Sequence, residues 1–276
     1  MSAIPRPDSA TLEAKLPPGP SWWQRNENWF LGTVSVLAFL ALWEASAAYQ
    51  WVNPLFTSSP TRIVLAGAEM FADGSIYGHI AVSGYEFVVG YGLALVIGVP
   101  LGILMGWYGR VNAVLEPFVS ALYATPRIAL LPLILIWLGI GVASKVAIVF
   151  LGAVFPILVN TITGVRTVEA DFIKVARSFG GNDWQLFLTV ALPSSVPMLL
   201  AGLRLGLGHA LVGIVVGEMY GATQGLGYLI ANAGARFQTD KVMVGIILIA
   251  SAGVAMTELL RRIERRFERW RPNFRG

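Results

Sequence analysis

Long apolar runs broken by short polar stretches dominate this chain. Six of them, at residues 30–49, 87–105, 118–138, 146–165, 196–216 and 242–260, approach the roughly 20 apolar residues that a helix needs to cross a bilayer. The pattern predicts six transmembrane helices. Ahead of the first run, residues 1–29 are rich in proline and polar groups and read as a tail. Trp22, Trp23 and Trp29 sit where indoles settle at a membrane surface. The run 30–43 followed by EASAA also resembles a signal-peptide core with an A-x-A cleavage site. The long polar leader and Glu44 at the edge of the run argue instead for an uncleaved first span.

Two polar segments carry helical periodicity of their own. FTSSPTRIVLAGAEMF (56–71) reads as a turn followed by a short amphipathic helix. Between the fourth and fifth runs lies KVARSFGGNDWQLFLTVALP (174–193). There Phe172, Val175, Ala176 and Phe179 follow i, i+3, i+4, i+7 spacing, which predicts a helix over 171–179 with one apolar face. Gly180 and Gly181 end it, because glycine takes the left-handed conformation needed just past a helix. Asn182 or Asp183 caps a second helix carrying Trp184, Phe187, Leu188 and Ala191, and Pro193 closes it. Such a unit is either an amphipathic element lying on lipid or a docking element for a partner's groove.

Six spans put both termini on one side. If that side is cytoplasmic, it receives 14 of the 20 Lys and Arg residues, the other side receives four, and Arg127 and Arg204 fall inside spans. This bias places the termini in the cytoplasm. Composition agrees with the membrane reading: 55% of the residues are hydrophobic, 13% are charged and the mean hydropathy is +0.65. Without cysteine there is no disulfide, thiolate metal site or cysteine nucleophile. His79 and His209 stand at no ligand-like spacing, which argues against a metal centre. Much of the net charge of +4 gathers in RRIERRFERWRPNFR at the C-terminal end. Its position after the last span favours a membrane surface over nucleic acid. Ile263, Phe267 and Trp270 share one face of that basic helix, suited to anionic lipid or to a partner subunit.

Inside the spans, small and polar residues define the candidates for function. Gly98, Gly102 and Gly106 recur every four residues, as do Gly202 with Gly206 and Gly213 with Gly217. They make smooth faces for close helix packing in any membrane bundle. Pro100, Pro126, Pro132 and Pro156 lie within or beside spans, where they kink a helix or free a carbonyl. Ionisable residues in spans usually face a bundle interior or water. Arg127, Arg204, His209 and Glu218 are the translocation-path candidates, with Glu44 and Glu86 also in or near spans. A plainer reading stands beside each: Arg127 snorkels to headgroups, Arg204 pairs with a carboxylate or carbonyl, and His209 is a packed neutral residue.

The spacing of the polar island resembles the EAA loop of ABC importer permeases: Glu-Ala-Ala, three residues, Gly, nine residues, Ile, one residue, Leu-Pro. The matching positions are Lys174-Val175-Ala176, Gly180, Val190 and Leu192-Pro193, with Lys174 where the family has an acidic residue. TPRIALLPLILIWLGIG, PSSVPMLLAGLRLGLGHA and GLGYLI extend the likeness over about 60–260. These segments are similar to permease subunits of the nitrate, sulfonate and taurine importers, whose relatives also carry pyrimidine precursors and aromatic acids.

The resemblance implies an all-α integral membrane protein of six transmembrane helices with the type I ABC importer permease fold. Residues 1–29 are then a cytoplasmic tail, 30–260 the permease domain with a coupling loop at 167–195, and 261–276 a basic tail, in the inner membrane of a bacterium. It further implies a second copy of the chain, two ABC ATPase subunits and a periplasmic or lipid-anchored binding protein that delivers a small anionic solute. Lys174, Val175, Ala176, Arg177, Phe179 and Gly180 would meet the ATPase. The chain has no G-x-x-x-x-G-K-[ST] loop, so ATP and Mg belong to the partner and no enzyme activity or cofactor is expected here. A secondary transporter is the first rival, but the inverted repeats it would show are not seen. An intramembrane serine protease built on Ser83 lacks the glycine that its motif requires two residues earlier.

Overall fold

The computed structural model describes residues 22–53, 56–168 and 170–267. Every regular element among them is helical. The helix α1 (Trp22–Ala48) belongs to one unit, residues 1–54, and residues 55–276 form a second. Within α1, Thr33 donates to the Trp29 carbonyl, Ser35 to Gly32 and Ser46 to Trp43, at 2.8–2.9 Å. Each hydroxyl is satisfied by its own helix, which lowers the cost of carrying it into lipid.

The second unit starts with α2 (Pro60–Ala72), the short helix expected after the FTSS turn. Ser59 caps it and Pro60 occupies its first turn, where a missing N–H costs nothing. Asp73 accepts a hydrogen bond from Ser75 N at 2.8 Å as the chain turns into α3 (Ser75–Trp107), and this bond holds its carboxyl below the usual range. Then follow α4 (Gly109–Ala124), a 3-10 turn (Arg127–Leu130), α5 (Leu131–Leu138) and α6 (Val142–Arg166). After these come α7 (Ala170–Ser178), α8 (Asp183–Leu186), a π turn (Phe187–Ala191), α9 (Leu192–Gly221), α10 (Leu226–Ala235) and α11 (Thr239–Phe267). Arg62 and Ser58 both bond Asp240, at 2.9 and 2.5 Å, tying the start of α2 to that of α11.

Five stretches are long and apolar enough to cross a membrane: α1, α3, α6, α8 through α9, and α11. The expected span at 118–138 is not one helix. It is α4 and α5, bent by 88° about a break at Thr125 and Pro126, and it makes a sixth crossing if the bent pair counts as one. Proline disfavours the helical conformation in the residue before it, and Thr125 is extended at ψ 129°. Pro193 behaves in the opposite way to expectation. It does not close the second helix of the polar island but lies in the first turn of α9, so the helix runs unbroken from Asp183 to Gly221.

The core is built around α6. Its buried face includes Val149, Gly152, Ala153, Ile157, Leu158 and Thr161. α3 lies against it with Gly90, Ala94, Gly98, Gly102 and Gly106, one glycine per turn apart from position 94, where alanine is fully buried. α9 presents Gly202, Gly206, Ala210, Gly213 and Gly217 to it in the same rhythm. The fit leaves no room for side chains. A Cβ on Gly102 would fall 2.7 Å from the Thr161 Cβ, and one on Gly206 would fall 2.9 Å from Ile157 Cγ1.

Gly102→Leu should therefore force α3 off α6. Overpacking of this kind costs about 1–3 kcal/mol and should lower the thermal unfolding midpoint in detergent. Gly92 lies on the same helix with nothing within 4 Å. Gly92→Ala should hold the wild-type midpoint or exceed it, since alanine is the better helix former. Equal midpoints for Gly102→Leu and wild type would contradict the close-approach account.

Candidate functional site

The polar island folds as two short helices about a fixed corner. Gly180 is left-handed at φ +80°. The Gly181 N–H reaches the Ala176 carbonyl at 3.2 Å and the Gly180 N–H reaches Arg177 at 2.9 Å. These two bonds close α7 in a Schellman turn. Two residues later Asn182 and Gln185 make a reciprocal capping box, with bonds of 2.9 and 3.0 Å that start α8. Arg177 and Asp183 pair across the corner at 3.1 Å, both well exposed.

One arm of this corner is anchored and the other is bare. In the α8 arm, Leu186 is fully buried and Phe187 packs edge-on to Trp107 at the end of α3, with ring centroids 5.4 Å apart. Trp184 stacks on Phe187 at 5.8 Å. In the α7 arm, Phe172, Val175 and Phe179 are exposed, Phe179 by 86%, and Lys174 and Arg177 are exposed beside them. An apolar stripe flanked by cations, carried on a stiff arm, has the form of a docking face.

The second feature is a cavity of about 370 Å³ at the bend between α4 and α5, reached by α6 and α9. Arg127 enters it from the 3-10 turn. Its guanidinium lies 5.4 Å from the Tyr123 ring centroid and 5.8 Å from that of Phe155, between rings supplied by α4 and α6. Its Nη1 donates to the Gly152 carbonyl at 3.1 Å. That carbonyl is available because its helical partner would be the N–H of residue 156, which is Pro156 and has none. Arg127 fills the gap with one of five donors. Among the described residues no carboxylate pairs with Arg127.

Gly152 also admits His209, another polar residue of the cavity. A Cβ there would lie 3.0 Å from the carbonyl oxygen of His209, so the missing side chain lets α9 close on α6 at this point. His209 is exposed, and its Nδ1 stands 2.9 Å from the Leu205 carbonyl. A carbonyl only accepts, so Nδ1 carries the hydrogen and Nε2 is the uncommitted nitrogen.

Of the path candidates, Arg127 and His209 are thus brought together, whereas Arg204 and Glu218 are not part of this cavity. Arg204 pairs with Glu264 and joins α9 to α11. Glu218 is buried near the far end of α9, bonded to Ser83 and Gly227 N. Tyr123, Phe155 and Gly152 are the contributors that sequence reasoning missed. Only Gly152 had a signal, four residues before Pro156.

The chain matches the family model described as binding-protein-dependent transport system inner membrane component over residues 98–269. It is 32% identical over 274 residues to the putative aliphatic sulfonates transport permease protein SsuC of Bacillus subtilis, covering 99% of this chain and 97% of that one. It is 34% identical over 245 residues to the taurine transport system permease protein TauC of Escherichia coli, covering 87% and 88%. The formylaminopyrimidine transport permease protein ThiX of Halalkalibacterium halodurans is 30% identical over 239 residues, covering 87% and 95%. In fold, the chain resembles a chain of the inward-facing MetNI methionine ABC transporter at a TM-score of 0.60 and 19% identity, over 68% of this chain and 94% of that one. An all-helical multi-pass chain with this family match and these full-length relatives has one assignment: it belongs to the binding-protein-dependent transport system inner membrane components, the permease subunits of ABC importers, a family without ATPase activity of its own.

Proposed function

We propose that this chain lines the path of an ATP-driven importer for a small anionic solute of the sulfonate or taurine class and is moved by a separate ATPase through α7. The observation that carries the solute reading is Arg127, a cation with four uncommitted N–H donors and no carboxylate partner among the described residues, in a cavity between helices. Relatives named for aliphatic sulfonates and taurine support it. A second reading, a pyrimidine precursor, has support in the formylaminopyrimidine relative and in the Tyr123 and Phe155 rings.

On this reading two copies enclose the path, two ATPases with ATP and Mg dock on Lys174, Val175, Ala176, Arg177 and Phe179, and a solute-binding protein delivers from the opposite face. Both termini are cytoplasmic, and the segment 167–195 couples nucleotide closure to the spans. A rigid corner at Gly180 and an anchored α8 let a push on α7 reach α9 as displacement.

Three measurements test these assignments. Uptake by the assembled importer should fall about tenfold or more in Arg127→Ala, given the 1.5–3 kcal/mol of a charged hydrogen bond. Arg127→Lys should fall between the two, because an ammonium keeps the charge but loses the planar fork. Equal uptake in both variants removes the anion role, and an unchanged Arg127→Ala favours the pyrimidine reading. Gly180→Val puts a β-branched residue at φ +80°, a strain of about 1–3 kcal/mol. It should leave the protein inserted and the ATPase active while uptake is lost; full uptake defeats the lever. The chain has no cysteine, so single cysteines report sidedness directly. In intact cells an impermeant maleimide should label Val64→Cys and spare Phe179→Cys, and the reverse would invert the orientation.

A further inference from the structure

Gly152 holds two different kinds of polar group against one cavity. Arg127, bonded to the Gly152 carbonyl at 3.1 Å, offers only N–H donors. His209 is seated against the same residue, since a Cβ on Gly152 would lie 3.0 Å from the His209 carbonyl oxygen. Both side chains line the cavity of about 370 Å³, whose walls are otherwise mostly apolar, with Ile148, Val212 and Val216 among them.

The hold on the His209 ring decides what its second nitrogen can do. Nδ1 lies 2.9 Å from the Leu205 carbonyl, one turn back on α9. A carbonyl only accepts, so Nδ1 donates, and in a ring with a single hydrogen Nε2 keeps its lone pair. Nε2 takes no partner among the described residues. The other cavity groups do not duplicate this acceptor. Arg127 has none to offer, and the Thr125 hydroxyl already donates to the Ala121 carbonyl at 2.8 Å. No carboxylate lines the cavity. Its charged group is thus a donor, and its nitrogen acceptor stands on the opposite helix.

A plain anion would satisfy Arg127 and leave Nε2 to water. A solute carrying an N–H or O–H beside its anion would satisfy both. Sites that hydrogen-bond a polar group of a solute reject the analogue lacking it more strongly than apolar pockets reject a methyl group. His209 is exposed, so water can stand in for a missing donor and the discrimination is moderate.

We propose that His209 is a specificity-determining residue of the path, its Nε2 accepting a hydrogen bond from a donor on the solute while Arg127 takes the anion, so that the preferred cargo is a bifunctional anion such as an amino-sulfonate. This rests on the reading of the Arg127 cavity as the solute path.

The chain contains two histidines, His79 and His209, so nitrogen NMR of the histidine-labelled full chain in lipid resolves the ring, with His209→Gln locating its signals. The probes are aminoethanesulfonate and propanesulfonate, which share the anion and differ by an ammonium in place of a methyl. His209 should show one hydrogen-bearing and one bare nitrogen. The bare signal should move on adding aminoethanesulfonate and stay on adding propanesulfonate. In uptake by the assembled importer, the ratio of amino to plain sulfonate, compared across variants, cancels whatever selectivity the binding protein imposes. His209→Leu should lower that ratio about tenfold, and His209→Gln, which keeps an acceptor, should restore part of it. Hydrogens on both ring nitrogens, a bare nitrogen that ignores the amino solute, or an unchanged ratio in His209→Leu overturns the proposal. Arg127→Ala tests the anion separately and should depress both solutes alike. Full uptake in that variant removes the anion reading without altering the His209 ratio or spectrum, so the two failures are told apart.

Discussion

The closeness of α6 to its two neighbours is the constraint on which the remaining structure hangs. Lipid tails are as apolar as leucine, so water expulsion does not drive helices together inside a membrane, and packing must supply the attraction. Here that packing comes from backbone laid on backbone. Glycines on α3 and α9 admit the side chains and carbonyls of α6 at distances that a methyl group would block. Buried side chains such as Val149, Ile157 and Thr161 then fill the grooves on both sides. Elements outside this sandwich, including α7 and the bent α4–α5 pair, are free to carry exposed groups because they are not asked to hold the bundle.

The same sandwich creates the polar features of the cavity. Pro156 would cost α6 a hydrogen bond and leave a carbonyl bare. Arg127 repairs that loss from a neighbouring segment, and it can do so only because the chain breaks at Pro126 and turns the arginine inward. Two prolines on different helices thus cooperate, one freeing an acceptor and the other delivering a donor. Gly152 is the meeting point: its carbonyl holds Arg127 and its absent side chain seats the turn of α9 that bears His209.

Local rules made much of this legible in the chain alone. The long helices, the short helix after the FTSS turn, the left-handed Gly180 and a cap at Asn182, one of the two residues offered for it, all follow from hydropathy, capping and glycine chemistry within a few residues. The readings that differed turn on proline. Pro126 breaks a run that is apolar enough to span, while Pro193 sits in a first turn and breaks nothing. Hydropathy cannot tell these apart, because the outcome depends on whether the preceding residue is allowed to leave the helix. Contacts between distant segments were not legible either. Nothing local to Lys145 or Glu86 announces that they pair, and nothing local to Tyr123 or Phe155 announces a shared cation.

The π turn at Phe187–Ala191, where Leu192 N reaches back to the Phe187 carbonyl, separates two faces with different demands. Each residue of an α-helix advances the azimuth by about 100°, so a widened turn resets the phase between what lies before it and what lies after. The anchoring aromatics of α8 and the glycine stripe of α9 can thereby point in directions that a regular helix of the same length would not allow. Removing one residue from this turn would swing the α7–α8 arm sideways while leaving the glycine stripe where it is, making the wide turn a swivel between the corner at Gly180 and the bundle.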